Sequence, residues 1–224
     1  MAVFPLSLDK IFQLMTAARE IDQPLILPKT LNGVNFEFKT ERRMTEEEFM
    51  EFCAENDHLR IEQDKNGKLI IMPPVDFSGG AREGIAYGYL FNWWLSYQKG
   101  RVFSPSTGFK LPDTSVRASD GCWISDERLS QVSPGDRKKF ARVVPDFVME
   151  VRSDSDRIGT LKRKMTDTWM ANGVRLAWLI DPLREMAYIF RENGTSETFN
   201  GFDHALSGEN VCPGLELDLT KMRL

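Results

Sequence analysis

Apolar residues recur at helical spacing in three parts of the chain. Thr45-Glu46-Glu47-Glu48 has the spacing of a capping box, which predicts a helix running from there to about Asn56. A second helix is predicted from about Gly80 to Gln98, where Ala86, Leu90, Trp93 and Tyr97 form one stripe. A third is predicted from about Arg157 to Asn172, with Gly173 as the residue that ends it.

Strand-like segments lie between and after these helices. Asn66-Gly67 between Leu59–Gln63 and Lys68–Met72 is a strong hairpin signal. Val174–Ile180 is a continuous apolar run, typical of a strand buried on both faces. Further strands are predicted near residues 100–103, 107–111, 120–125, 147–152, 186–191 and 215–219, and the rest of the tail is predicted to be loop.

This order of elements predicts an α/β (α+β) protein in which a mixed central sheet is flanked by helices on both faces. Residues 45–224 are expected to form that domain. Residues 1–44 are expected to form an N-terminal helical extension, with one helix near residues 8–20. The length of 224 residues fits one large domain with a short appendage.

Composition narrows the functional classes. The chain is 42% apolar and 28% charged, its three cysteines form no Cys-x-x-Cys pair, and no apolar run approaches the ~20 residues that cross a bilayer. With no basic-then-apolar leader at its start, we expect a cytoplasmic location. The net charge of −4 argues against a surface that binds nucleic acid everywhere, but ten basic and five acidic residues occupy positions 128–164. That run is either a phosphate-facing patch or a solvated basic loop.

Acidic residues on two apolar strands are the main candidates for chemistry. Asp120 opens one strand, and Glu150 lies in the middle of another, where a buried carboxylate needs an ionic partner or a metal. Arg152 shares a strand face with Glu150, about 6.6 Å further along, and could bind a phosphate. Asp146 is about 13 Å from Glu150 along the strand and is interpreted as a strand-start residue. The alternatives are a turn role for Asp120 and a cross-strand ion pair for Glu150.

Two helical residues are further candidates. Lys164 falls beside the apolar stripe of the third helix, so its long side chain could reach the strand ends, although an ordinary flanking lysine is equally compatible. Glu83 lies on the inward stripe of the second helix, where it could add a third carboxylate or favour the helix N-terminus. Other schemes find no support, because neither histidine has a partner at metal-ligand or triad spacing and no phosphate-binding glycine loop is present.

Six motifs follow one another along the chain: Gly79–Glu83, Ser106–Pro112, Ser119–Asp120, Pro145–Ser155, Lys164 and Asn172–Pro182. This ordered series resembles the Uma-two (Uma2) family of endonucleases in the PD-(D/E)xK superfamily, over about Thr45 to Leu219. Ser119-Asp120 matches the family's Pro-Asp element, Glu150 its second acid and Glu83 its helix glutamate. Arg152 stands where the superfamily has lysine, so Lys164 would have to supply that lysine.

The resemblance implies a restriction-endonuclease-like fold and Mg²⁺-dependent hydrolysis of DNA phosphodiester bonds, with Mn²⁺ as an alternative ion. Asp120 and Glu150 would hold the ion together with waters, one of which becomes the nucleophile. Arg152, Lys164 and Glu83 would complete the catalytic set, and a homodimer is expected. Two alternatives stay open: an inactive nuclease fold that binds nucleic acid or protein, and an interaction dimer in which these charges form buried ion pairs.

Overall fold

A computed structural model describes residues 36–38, 42–57, 59–72 and 74–224. The helix predicted near residues 8–20 lies outside the described residues. The chain divides into two compact units, one containing residues up to 61 together with 66–74, the other containing residues 62–65 and 75–224. The predicted boundary at residue 44 stays a prediction.

The described elements are numbered in chain order. The helices are α1 (Glu46–Glu55), α2 (Phe77–Tyr97), α3 (Asp126–Ser130) and α4 (Ile158–Arg163), and α4 continues through a π turn (Lys164–Trp169) and a 3₁₀ turn (Met170–Asn172). Further 3₁₀ turns cover Asp136–Lys138 and Leu219–Met222. The strands are β1 (Phe36–Phe38), β2 (Arg60–Gln63), β3 (Leu69–Met72), β4 (Arg101–Phe103), β5 (Phe109–Lys110), β6 (Val116–Arg117), β7 (Gly121–Ile124), β8 (Phe147–Val151), β9 (Leu176–Asp181), β10 (Met186–Arg191), β11 (Ser196–Asn200), β12 (Ala205–Ser207) and β13 (Glu216–Asp218).

The first unit contains α1 and the antiparallel pair β1–β3. The predicted capping box is confirmed. The Thr45 hydroxyl accepts from the Glu48 amide at 3.2 Å, and the Glu48 carboxylate accepts from the Thr45 amide at 2.8 Å. The hairpin is confirmed as well, since β2 and β3 flank Gly67, whose φ of +82° suits a residue without a Cβ.

The second unit is built on a six-stranded mixed sheet. Its strand order is β11-β10-β9-β8-β7-β4, in which β8 and β9 are parallel and every other pair is antiparallel. A shorter ladder joins β5 to β6, and β6 to the end of β2 through Gln63 and Val116. The mixed sheet flanked by helices agrees with the fold class predicted from the sequence.

Side-chain alternation assigns the two faces of the sheet to different helices. On β8, the odd-numbered Phe147, Met149 and Val151 face the α2 side, together with Ala86 and Leu90 of that helix. The even-numbered Val148 faces the opposite side, which is covered by α4 and the two turns that continue it, residues 158–172, called the α4 segment below. The core on that side includes Cys122, Ile124, Val148, Met165, Trp169, Ala177 and Leu179. Glu150 therefore points toward the α4 segment.

The tail contains more strand than predicted. β11 pairs with β10 from Met186↔Asn200 to Phe190↔Ser196, and β12 pairs with β13. β11 and β12 were predicted to be loop, whereas β13 lies within the strand predicted near residues 215–219. β11 has few apolar residues because it is the edge strand of the sheet and is mostly exposed. Within the described residues, no helix is both long and apolar enough to cross a membrane.

Candidate active site

Glu150 is the centre of a buried polar cluster between β8 and the α4 segment. Its side chain is nearly inaccessible, at 4% exposure. Its Oε1 atom accepts a hydrogen bond from Trp169 Nε1 at 2.8 Å and lies 2.8 Å from Lys164 Nζ. The π turn that follows α4 carries both partners, so one helical segment supplies the cation and the indole donor.

Asp120 lies immediately before β7 and is tied to β8. Its amide donates to the Met149 carbonyl at 3.1 Å, and its Oδ2 accepts from the Val151 amide at 2.8 Å. These bonds hold the Asp120 carboxylate beside the backbone on both sides of Glu150. Asp120 therefore bonds to the backbone, as a turn aspartate would, and it also lies close to Glu150, as a site residue would.

Lys164 extends from the helical segment to the strands. Its ammonium lies 2.8 Å from Glu150 Oε1 and 3.2 Å from Glu62 Oε1, and donates to the Ala118 carbonyl at 2.9 Å. An ammonium has three N–H donors, so these three oxygens match its full donor capacity. This position agrees with the prediction that the Lys164 side chain reaches the strand ends. It does not agree with the alternative that Lys164 is an ordinary flanking lysine.

Glu62 belongs to the same cluster and was missed by the sequence analysis. It is 3% exposed, accepts from the Ala118 amide at 3.1 Å, and lies 3.2 Å from Arg117 Nε as well as near Lys164. In the sequence, Arg60 and Glu62 alternate with Ile61, which is the pattern of a solvent-facing strand edge. Only the long-range pairing of β2 with β6 buries this carboxylate.

The cluster contains more acid than base. Glu62, Asp120 and Glu150 contribute three carboxylates, whereas Arg117 and Lys164 contribute two cations. Burial raises the pKa of Glu150 to about 7; Lys164 opposes this shift, while the negative charges of Asp120 and Glu62 add to it.

Glu62 and Lys164 keep their charges in this environment. Although burial works in the opposite direction, Arg117 and Lys164 hold the pKa of Glu62 below its usual value. Burial likewise disfavours the Lys164 ammonium, yet Glu150 and Glu62 raise the pKa of Lys164. Of these two glutamates, Glu150 is thus the one that the surrounding charges compensate less.

Arg152 forms a separate ion pair. One guanidinium nitrogen donates to both carboxylate oxygens of Asp181, at 3.1 and 3.0 Å, and Nε donates to the Asp156 carbonyl at 3.1 Å. Asp181 is completely buried at the end of β9. Arg152 and Glu150 therefore do not pair with each other. Arg152 pairs with Asp181, and Glu150 pairs with Lys164.

Glu83 and Asp146 have different positions. Glu83 lies in the second turn of α2 and is half-buried. Its predicted role as a third acid stays a prediction. Asp146 precedes β8, accepts from the Ser125 amide at 2.7 Å, and pairs with Arg128 Nε at 3.2 Å, which agrees with its interpretation as a strand-start residue.

The donor set of the cluster fits a hard divalent cation. Carboxylate oxygens are the ligands that Mg²⁺ prefers in proteins. A cation near Asp120 and Glu150 would also offset the negative charges of Asp120 and Glu62, which add to the rise that burial causes in the pKa of Glu150. In the part of the chain that the structure describes, no group of three or more His, Cys, Asp or Glu side chains is arranged to hold a metal. A site here would thus depend on two carboxylates completed by water.

Comparison with known proteins assigns the family. The family described as Uma2, "putative restriction endonuclease", matches residues 46–220. The chain belongs to the Uma2 family. The resemblance noted from the ordered motifs is thereby confirmed, over nearly the same residues. No curated protein sequence gave a match.

A solved structure supports the fold of this Uma2 protein. A nuclease of DUF820 from Anabaena variabilis ATCC 29413, described as putative, superposes with a TM-score of 0.64. The alignment covers 80% of this chain and 97% of that chain at 17% sequence identity. At this identity the likeness establishes a shared nuclease-like fold.

Proposed function

We propose that this Uma2 protein is a Mg²⁺-dependent endonuclease that hydrolyses phosphodiester bonds of DNA. The observation that carries the proposal is the buried cluster of three carboxylates and two cations at the junction of β7, β8 and the α4 segment. Membership of a restriction-endonuclease family supports the same reaction class. Mn²⁺ would be an alternative ion because it accepts the same oxygen ligands.

Asp120 and Glu150 are the proposed metal ligands. Bound there, the ion would activate a water molecule and neutralise charge that develops on the scissile phosphate. The backbone bonds of Asp120 to β8 fix its carboxylate relative to Glu150. Trp169 and Lys164 orient Glu150 by binding its Oε1 atom.

We assign the role of the missing motif lysine to Lys164. Lys164 contacts Glu150 directly, whereas Arg152 is bound to Asp181 and would have to abandon a buried carboxylate to reach a phosphate. Glu83 is kept as a candidate third acid on α2. A homodimer is also proposed, since two antiparallel strands of duplex DNA suit two symmetry-related sites. Light scattering after size-exclusion chromatography would test the dimer.

A second candidate function is a nuclease fold that binds nucleic acid or protein without turnover. The observation in its favour is that Lys164 and Arg152 both occupy closed, largely buried ion pairs. In that case the charges would specify the fold, and metal binding would add nothing to stability.

Thermal unfolding with and without millimolar Mg²⁺ or Mn²⁺ separates the candidates. The wild-type midpoint should rise with metal, and Asp120→Asn and Glu150→Gln should lose that rise while remaining folded. Nicking of supercoiled plasmid should require the ion and disappear in both variants. Metal-independent stability combined with no nicking would favour the non-catalytic function.

A further inference from the structure

A pocket of about 450 Å³ lies in the second unit, separate from the carboxylate cluster. It is bounded by β4, the start of β5, α3 and the loop after α3. Its volume is within the range of small-ligand sites, about 300–1,000 Å³. Its apolar lining consists of Phe103, Phe109, Leu129, Val132, Ala141 and Val143.

The walls of this pocket are fixed by packing. Phe109 is buried and meets Phe103 edge-to-face, with ring centroids 5.5 Å apart. The loop is fastened to β5 because the Lys110 amide donates to the Ala141 carbonyl at 3.0 Å. Phe140 of the loop lies so close to Gly108 that a Cβ on that glycine would be 2.7 Å from the ring. Phe103 is half-buried, so it is the ring with surface left to contact a ligand.

The charged side chains that line the pocket are mostly basic. Arg101, Arg137 and Lys139 contribute three cations and Asp126 one carboxylate, and all three cations are exposed. Arg137 and Lys139 come from the basic run noted in the sequence. A rigid apolar cavity with cations at its opening suits a ligand that joins a flat aromatic group to an anion.

The pocket is connected to the proposed active site through one strand pair. Phe109 of β5 is the register partner of Arg117 on β6, and Arg117 pairs with Glu62 in the cluster. Asp120 follows Arg117 by three residues. Opposed strand residues are about 5 Å apart, at right angles to a rise of about 3.3 Å per residue along the strand, so the two sites are separated by on the order of 10 Å. A single DNA strand spans that distance with a few nucleotides.

We propose that this pocket binds one nucleoside monophosphate unit, with the base against Phe103 and the phosphate between Arg137 and Lys139. Stacking of a base on an aromatic side chain tolerates every base, so the pocket would position a strand without reading its sequence. This inference rests on the proposed function and names a substrate subsite for it. The same chemistry would admit a free mononucleotide.

Binding is best measured apart from cleavage. Calorimetric titrations use the full chain carrying Asp120→Asn in EDTA, with dAMP, 2-deoxyribose 5-phosphate, inorganic phosphate and a short single-stranded oligonucleotide as probes. The double variant Arg137→Ala/Lys139→Ala removes two lining cations. Its control, Lys138→Ala/Arg142→Ala, removes the same charge from exposed neighbours that do not line the pocket.

The expected result is that dAMP binds at least tenfold more tightly than the base-free phosphates. The Arg137/Lys139 variant should weaken dAMP binding at least tenfold, and the control less than threefold. Tighter binding of the oligonucleotide than of dAMP would identify a strand subsite, and the reverse order a mononucleotide site. Equal weakening by both doubles, or equal binding of dAMP and phosphate, would overturn the proposal.

Failure of this inference is distinguishable from failure of the proposed function. If plasmid is nicked in a metal-dependent way while the pocket variants bind and cleave like wild type, the nuclease assignment stands and the pocket assignment falls. If dAMP binds as described but no metal-dependent nicking occurs, the pocket assignment survives on its own.

Discussion

Replacing Lys164 with methionine is the most direct test of the buried cluster. The substitution keeps a long apolar stem but removes the ammonium from Glu150 Oε1, Glu62 Oε1 and the Ala118 carbonyl, all within 3.2 Å. The Lys164 side chain is only 11% exposed, so water cannot readily take the place of the lost ammonium. Removing one partner of a buried ion pair costs about 3–5 kcal/mol. For a chain of this size, that corresponds to a fall in Tm of roughly 6–20 °C.

Unfolding in urea and by heat, without divalent metal, measures this effect. Arg163→Met is the matched control, because it removes the same charge from the preceding position on the helical segment, where the side chain is exposed. Surface changes of this kind usually stay within about 0.5 kcal/mol. The double variant Lys164→Met/Glu150→Gln should recover part of the loss, since it removes the uncompensated carboxylate.

A second outcome follows from the proposed metal site. With Lys164 gone, Mg²⁺ would meet a more negative cluster and should stabilise Lys164→Met more than wild type. A free energy of unfolding for Lys164→Met within about 1 kcal/mol of the values for both wild type and Arg163→Met would refute the predicted role of Lys164. That result would mean that Glu150 does not depend on Lys164 for its compensation.

Three further measurements test other parts of the structure. Arg152→Met should lower the free energy of unfolding by about 3–5 kcal/mol, with or without metal, because it leaves the Asp181 carboxylate buried and unpaired. If chemical denaturation shows no such loss while cleavage falls, Arg152 binds the phosphate instead. Gly208→Ala should cost about 1–3 kcal/mol, since its Cβ would collide with the Cys212 carbonyl oxygen, whereas Gly84→Ala, with open space around it, should gain up to about 1 kcal/mol in the same assay. The Cys122 and Cys212 thiols should react slowly with a disulfide reagent at pH 8, because burial raises the pKa of both, to about 12 for Cys122. Rapid reaction of both thiols in the native protein would contradict their burial.

Local signals in the sequence predicted the elements that depend on local chemistry. The capping box of α1, the Asn66-Gly67 hairpin and the uninterrupted apolar run of β9 were all found where predicted. Each depends on neighbouring residues alone. β11 and β12 were missed because their residues are held by partner strands, and neither shows an alternating apolar pattern of its own.

The same distinction applies to the charged residues. Strand periodicity correctly predicted the sheet face on which Glu150 lies, and helical periodicity predicted that Lys164 reaches the strands. Neither could identify the ionic partners of these residues, because those partners depend on strand register. β8 and β9 run parallel with Val151 opposite Ile180, so the next residues, Arg152 and Asp181, become neighbours at the strand ends. Glu62 was invisible for the same reason, since its burial depends on a β2–β6 pairing far apart in sequence.

Under the proposed function, the exchange of partners accounts for the arginine that stands where the resembled superfamily motif has lysine. A lysine two residues after the second acid would extend from the same strand as Glu150, whereas here the cation arrives from the helical segment that covers that strand. The strand position of that lysine carries Arg152, which pairs with Asp181 at the ends of β8 and β9. Loss of Lys164 should therefore affect both the charge balance of the cluster and cleavage, while loss of Arg152 should affect stability first. Because both losses are expected to lower stability, cleavage by each variant at a temperature where both remain folded decides which residue replaces the motif lysine.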